Sequence, residues 1–218
     1  MHITGILFDF IGTIVMEKDP TTINRCFRKA FNEHGVMVTD EFIKANRGKD
    51  KKEVIDEALR QFNLPASIAD SIVASLRKHI EANLDNFYEN DCAKETISFL
   101  KGKNIIIGTG SGLPRDTFDK IFTYLQWEPV GFDYIGIAEE LGKGRPHPAM
   151  ILDMLQQCHL NNTTFLKVGD TVADIQEGKN AKVFTAAILS GTQEEKILVN
   201  EHPDIVIRQL AELKKIID

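Results

Sequence analysis

Residues Ile3 to Phe8 form a short, continuous apolar run that stops at Asp9. A strand buried on both faces reads this way, because helices on either side of a parallel sheet leave no polar alternation. The period then changes. From Thr21 to about Leu84 apolar residues return at helical spacing: Ile23, Phe27, Ala30 and Phe31 with Gly35 as the stop, then Val54, Ile55, Ala58, Leu59 and Phe62. Pro65 opens a further helix with Ile68, Ile72, Leu76 and Ile80 on one face. These stripes read as core-facing sides of helices, not as ligand surfaces.

After Asp91 helix and strand alternate. The pattern predicts helices over Ala93 to Leu100, Pro114 to Leu125, Pro148 to Gln157, Val172 to Ala181 and Gln209 to Ile217. It predicts strands over Ile105 to Ile107 ending at Gly108, Tyr134 to Ile137, Phe165 to Val168 ending at Gly169, Val183 to Leu189 and Ile205 to Ile207. Such alternation implies a parallel sheet covered on both faces. The expected fold is therefore α/β: a doubly wound, Rossmann-like core of residues 1–16 and 87–218, with an inserted all-helical domain over residues 17–86. Its hinges are expected near Val15 to Asp19 and Leu84 to Asp91.

At 218 residues the chain suits one domain, or a core with an inserted module. Thirty-two acidic against 26 basic residues give a net charge of −6, which excludes a nucleic-acid protein held by bulk charge but not a small phosphorylated substrate. No apolar run approaches the roughly 20 residues that span a bilayer. Met1 to Phe10 lacks the basic n-region and the cleavage site of a signal peptide, so the sequon at Asn161 has no bearing on function. Cys26, Cys92 and Cys158 are scattered and odd in number, which argues against structural zinc or a disulfide framework and for thiols in a reducing cytoplasm.

In an open parallel sheet, ligands gather at the carboxyl ends of the strands. Strand one ends in Asp9-Phe10-Ile11-Gly12-Thr13, and the strand at Ile105 in Gly108-Thr109-Gly110-Ser111-Gly112. The turn Lys143-Gly144-Arg145-Pro146-His147-Pro148 precedes a helix, and the strand at Phe165 ends in Gly169-Asp170-Thr171-Val172-Ala173-Asp174. Carboxylates, a hydroxyl and a guanidinium thus meet around one crevice. Three carboxylates at one edge repel unless a cation sits between them, and Mg²⁺ takes oxygen ligands while binding phosphate oxygens. One carboxylate is then free to attack phosphorus, with a hydroxyl and a cation holding the equatorial oxygens.

These segments resemble the four motifs of the haloacid dehalogenase (HAD) superfamily of aspartate-nucleophile hydrolases, in the same order and over nearly the whole chain. The helical insertion is similar to that family's type 1 cap. The resemblance implies Asp9 as nucleophile, Thr109 as the hydroxyl on the transferring phosphoryl group, and Arg145 as the cation of the third motif. It further implies Asp9, Asp170, Asp174 and the main-chain carbonyl of Ile11 around Mg²⁺, with Gly12, Gly110 and Ser111 contacting substrate. Ser111 reads equally well as a turn residue.

Two positions depart from the family's phosphatases. Their general acid, two residues after the nucleophile, is here Ile11, which transfers no proton; their usual third-motif Lys is here Arg145. Both departures are similar to phosphonoacetaldehyde hydrolase (phosphonatase) and its relatives, as is Lys167 to Ile175. In that branch a cap lysine forms a Schiff base that serves as electron sink for P–C cleavage. Lys51, three residues after Gly48, matches that lysine, although the surrounding Lys49, Lys51 and Lys52 also read as a solvated helix start. Three functions stay open: phosphonate hydrolysis, phosphatase action on good leaving groups such as acyl phosphates, or phosphate-ligand binding with little turnover. The resemblance also implies a homodimer paired through caps, and a small phosphorylated or phosphonate substrate with no nucleic-acid or membrane partner.

The remaining features read as structural. Gly108 to Gly112 has the spacing GxGxG, not the GxGxxG of a dinucleotide loop. His147 reads as a turn residue, Trp127 as core, and Lys143 as solvated.

Overall fold

The computed structural model describes residues 1–217. The chain opens with β1 (Gly5–Asp9) and β2 (Val15–Glu17). Four helices follow: α1 (Thr22–Glu33), α2 (Asp40–Ala45), α3 (Lys51–Gln61) and α4 (Ala69–Glu81). The chain returns through β3 (Phe87–Glu89) and α5 (Ala93–Gly102) to β4 (Ile106–Ser111), α6 (Arg115–Tyr124), β5 (Tyr134–Ile137), α7 (Ala138–Leu141) and α8 (Ala149–Gln157). It closes with β6 (Phe165–Gly169), α9 (Val172–Asn180), β7 (Phe184–Ile188), α10 (Glu195–Asn200), β8 (Ile205–Ile207) and α11 (Leu213–Ile216).

Six strands form one parallel sheet in the order β5-β4-β1-β6-β7-β8. Every residue of β1 and β6 is buried, as their apolar runs require at the centre of a sheet covered on both faces. Under β1, Phe10 stacks on Phe118 of α6 with ring centroids 4.4 Å apart, and Phe118 continues to Phe122 at 5.2 Å. Such tilted aromatic pairs add to the area they bury. Trp127 is fully buried, consistent with its core reading.

The helical insertion has its own apolar centre. Ile23, Phe27 and Phe31 of α1 are buried with Ile72, Leu76 and Ile80 of α4 and with Val54, Ile55 and Ala58 of α3. Short caps fix the helix starts: Thr39 accepts from the Phe42 N–H at 3.1 Å, and Asp50 from the Glu53 N–H at 2.8 Å. The two expected hinge segments pair with each other. β2 and β3 form an antiparallel ribbon, with Val15 opposite Glu89 and Glu17 opposite Phe87. Three-residue strands carry too little period to be read from sequence.

Other boundaries differ from expectation. β4 extends to Ser111, beyond the β-branched run that predicted its end at Gly108. Its glycines carry no strand signal, yet Gly110 is required where α8 crosses: a Cβ there would lie 2.1 Å from Met150 Sδ. The expected closing helix is broken into a 3₁₀ turn over Leu210–Glu212 and α11. The short α7 and α10 each bury a single residue of their own, too few for a helical period.

Candidate active site

From β1 the chain moves to β4 and β5 on one side; from β6 it moves to β7 and β8 on the other. The switch between β1 and β6 opens a crevice at the carboxyl ends of the strands. Asp9 ends β1, Ser111 ends β4, Asp170 follows β6, and Arg145 lies in the turn between α7 and α8. A cavity of about 40 Å³ opens there. The core contributes Asp9, Ile11, Ser111 and Arg145 to its wall, and the loop before α3 contributes Arg47 and Gly48, with Lys51 at the start of that helix.

Arg145 is the hub. Its Nη1 donates to Asp9 Oδ1 at 2.5 Å and to the Gly48 carbonyl at 3.2 Å; its Nη2 donates to the Gly110 carbonyl at 2.9 Å; its Nε donates to Glu177 Oε2 at 3.1 Å. Burial disfavours the guanidinium charge, but Asp9, Asp174 and Glu177 hold it firmly protonated. Asp9 moves the other way. Burial raises its carboxyl to about 7, against the pull of Arg145.

Asp170 accepts from the Thr192 N–H at 2.7 Å and from the Thr192 hydroxyl at 2.5 Å. Burial raises it, the neighbouring Asp174 charge adds to this, and Thr192 opposes both. Asp174 is placed by the start of α9, where it forms a reciprocal cap with Thr171. Burial would raise Asp174, yet Lys167 and Arg145 bring it below the usual range. Asp9, Asp170 and Asp174 offer oxygens within 4.8 Å of one another, all buried.

The other expected contacts separate into two groups. Ser111 lines the cavity, and its Oγ accepts from the Leu113 N–H at 3.0 Å. It is thus a turn residue with its hydroxyl proton still free to donate into the site. Thr109 lies one strand repeat below, fully buried and paired in register with Phe8, and its hydroxyl has no hydrogen-bond partner. It does not reach the cavity, because β4 runs past it to Ser111. Gly12 does not present its N–H to the cavity: that group donates to the Val15 carbonyl at 2.7 Å. Its place is steric, since it sits at φ +100° and a Cβ would lie 2.3 Å from Asp170 Oδ2. Gly110 contributes through its carbonyl, which anchors Arg145.

Lys51 is only 8% exposed, so it is not a solvated helix start. Its Nζ donates to the Lys49 carbonyl at 3.0 Å. Burial, with the Arg47 charge nearby, lowers its amine to about 8. His147 is exposed, and its Nδ1 accepts from the Ala149 N–H at 3.2 Å, as a turn residue would.

Several functional groups escaped the sequence reading. Arg47 is ion-paired to the buried Glu17 of β2 and donates to Asn24 Oδ1 at 3.0 Å, tying the cap loop to the hinge. Thr192 follows β7 in a Ser-Gly-Thr stretch that carried no motif. Lys167 and Glu177 are fully buried beneath the acids. A lysine inside an otherwise apolar strand is the sequence signal that marks it.

A doubly wound sheet, a helical cap and this acid cluster define a class of hydrolase. The model of the haloacid dehalogenase-like hydrolase family matches residues 6–188, and the chain belongs to that family. It is 26% identical over 216 residues to the phosphonoacetaldehyde hydrolase of Bacillus cereus, covering 89% of this chain and 78% of that protein. It is also 26% identical over 222 residues to the pyrophosphatase PpaX of Oceanobacillus iheyensis, covering all of this chain and 98% of that protein. Its fold matches a phosphonoacetaldehyde hydrolase-like protein from Oleispira antarctica with a TM-score of 0.84 at 16% identity, over 99% of this chain and 91% of that one.

The family implies a divalent cation, and the buried charges fit one. Asp9, Asp170, Asp174 and Glu177 share a buried layer with Arg145 and Lys167, while Lys51 and Arg47, the latter paired to the buried Glu17, face them across the cavity. With Glu17, Arg47 and Lys51 counted in, the acids still exceed the cations in a dry site where an uncompensated charge is costly, and burial raises Asp9 and Asp170. A divalent cation balances them, and oxygen-only ligands suit Mg²⁺. Both oxygens of Asp174 are engaged by Arg145, Lys167 and Thr171, as those of Asp170 are by Thr13 and Thr192.

Proposed function

We propose that the chain is a Mg²⁺-dependent hydrolase of the phosphonatase-like branch, acting on a small phosphonate through an aspartyl-phosphate. The carrying observation is the buried Lys51 amine in the same cavity as Asp9, beside Ile11 where an acid would serve oxygen leaving groups. In this reading residues 1–16 and 87–218 are the core and residues 17–86 the cap.

Asp9 and Asp170, with the Ile11 carbonyl, would hold the metal, which supplies charge for the phosphoryl oxygens. The neutral Lys51 amine condenses with the substrate aldehyde, and with release of water and uptake of one proton from solvent it forms an iminium. Asp9 attacks phosphorus, the P–C bond breaks, and its electron pair moves into the iminium to give an enamine. A proton adds to that carbon, and water then hydrolyses both the imine and the aspartyl-phosphate. The products are acetaldehyde and phosphate, and Lys51 and Asp9 are regenerated. Ser111 takes the hydroxyl role first assigned to Thr109, and Arg145 holds the second phosphoryl oxygen. Small cavity size matches a small substrate. Free thiols at Cys26, Cys92 and Cys158 suit the cytoplasm. A homodimer through the caps, where Met37 is 81% exposed, is tested by sedimentation.

A second reading, a phosphatase for acyl phosphates or similar leaving groups, is favoured by the same Ile11. The deciding experiment is phosphate release with Mg²⁺ from phosphonoacetaldehyde and acetyl phosphate side by side, with Asp9→Asn as blank. Release from phosphonoacetaldehyde, together with borohydride trapping that Lys51→Ala abolishes, supports P–C cleavage. Release from acetyl phosphate alone replaces it with the second reading. Phosphate binding without release from either would leave a binding protein.

A further inference from the structure

Beneath the cavity lie two charged side chains to which the reaction above gives no task. Lys167, in the middle of β6, and Glu177, on α9, are both fully buried. Lys167 Nζ sits 3.0 Å from Asp174 Oδ1 and 3.2 Å from Glu177 Oε2. Arg145 Nε sits 3.3 Å and 3.1 Å from the same two oxygens. Each of those oxygens is shared by two cations, so four charges alternate around a closed ring. Asp174 and Glu177 are three residues apart on α9 and so present both carboxylates on one face. No aligned hydrogen bond is made by Lys167 Nζ, Asp174 Oδ1 or Glu177 Oε1 among the described residues. Lys167 is therefore held in the ring by charge.

A guanidinium facing two buried carboxylates without a competitor takes them through its fork, with two parallel N–H bonds. Arg145 does not. Only Nε points at the acid pair, while Nη1 and Nη2 reach Asp9 and the Gly110 carbonyl. The lysine supplies the missing half of the acids' demand. Its position has no packing reason, since an apolar side chain fills a central strand without the desolvation of an ammonium.

We propose that Lys167 is a positioning residue: by sharing Asp174 and Glu177 with Arg145, it keeps the guanidinium fork turned toward the phosphoryl position. The proposal rests on the reading of Arg145 as the phosphoryl-binding cation. It makes no use of proton transfer by Lys167.

The test compares wild type, Lys167→Met, Glu177→Gln and the double variant. Each is checked for a cooperative thermal transition. Orthophosphate affinity is then measured by calorimetry at saturating Mg²⁺, alongside kcat and KM for whichever of phosphonoacetaldehyde or acetyl phosphate is turned over. Lys167→Met leaves Arg145 alone with two acids, so orthophosphate affinity and kcat should each fall ~10-fold or more. Glu177→Gln removes one competitor and should keep or tighten orthophosphate binding. The double variant removes one cation and one anion and should return to within ~3-fold of wild type, since deleting both partners of a buried pair is often neutral. A merely structural role shows in the melting temperature, with the same rescue by the double variant, and leaves the orthophosphate affinity of the folded protein unchanged. Equal affinity in wild type and Lys167→Met, including none in either, overturns the proposal. Should Lys167→Met not fold, Glu177→Gln decides: lost orthophosphate binding there also overturns it. Absence of turnover in wild type that still binds orthophosphate would sink the functional reading, and the affinity order alone would then judge the ring.

Discussion

The Lys51 backbone N–H donates to the Gly112 carbonyl at 3.0 Å. The residue whose amine enters the cavity is thus also one through which the cap is hydrogen-bonded to the end of β4. On the proposed reading, closing the cap and delivering the amine would be one event. Gly112 permits the approach, because a Cβ there would lie 2.5 Å from the Lys49 carbonyl oxygen. Gly112→Ala should hold the cap ajar, lowering kcat/KM ~10- to 100-fold while the thermal midpoint changes little. Steady-state kinetics beside a melting curve will show whether the two separate.

Burial lowers the Lys51 amine from the usual 10.5 to about 8. Only the neutral amine attacks an aldehyde, so borohydride-trapped adduct should rise with pH through about 8 and then level off. Lys51→Arg keeps a charge but cannot form the imine, and it should trap nothing. Trapping that keeps climbing toward pH 10 would contradict an amine tuned by burial.

Ser111 and Thr109 should part company on mutation. Ser111→Ala removes a hydroxyl from the cavity wall, and kcat should fall roughly 10- to 100-fold. Thr109→Val replaces a buried hydroxyl that has no partner. It should leave kcat near wild type and stabilise the fold by up to about 1 kcal/mol. Denaturation midpoints and initial rates on both variants provide the check.

Stripping the metal should make stability fall as pH rises from about 4 to 7. Asp9 titrates near 7 in the folded state against 3.8 in the unfolded chain. Between those values the folded state binds more protons, so ∂ΔG/∂pH from this group is negative. Asp170, also raised, acts in the same direction; Asp174, lowered, contributes only below about 3.8, where its stabilisation is lost as pH falls. Mg²⁺ should flatten the slope by taking the proton's place, and Asp9→Asn should remove its share without metal. Melting temperatures in chelator and in Mg²⁺ across this range test both statements.

Much of this was legible in the chain itself. Apolar period gave the central strands and the helical insertion, and the acids at the ends of β1 and β6 were visible because carboxylates follow apolar runs there. Thr109 was misplaced because β4 runs four residues beyond its β-branched run, through Gly108 and Gly110, which shifts the rim of the crevice to Ser111. Lys51 could not be placed from its neighbours, since its burial depends on the cap loop meeting Gly112 and Arg145, far away in sequence. Lys167 shows no partner in the sequence, because Glu177 and Arg145 join it only through the packing of α9 and the turn before α8 against β6.

The β2–β3 ribbon means that the polypeptide departs for the helices and comes back side by side. Glu17 faces Phe87 across a ladder whose opposed Cα atoms lie about 4.5–5.5 Å apart. A gap that narrow can be bridged by a two-residue turn. The intervening stretch is therefore a cassette in the genetic sense: one contiguous exchange of coding sequence would replace Arg47, Gly48 and Lys51 together. Asp9, Ser111, Arg145 and Asp170 would stay on their strands and turns, so new substrates could be acquired without rebuilding the core side of the cavity.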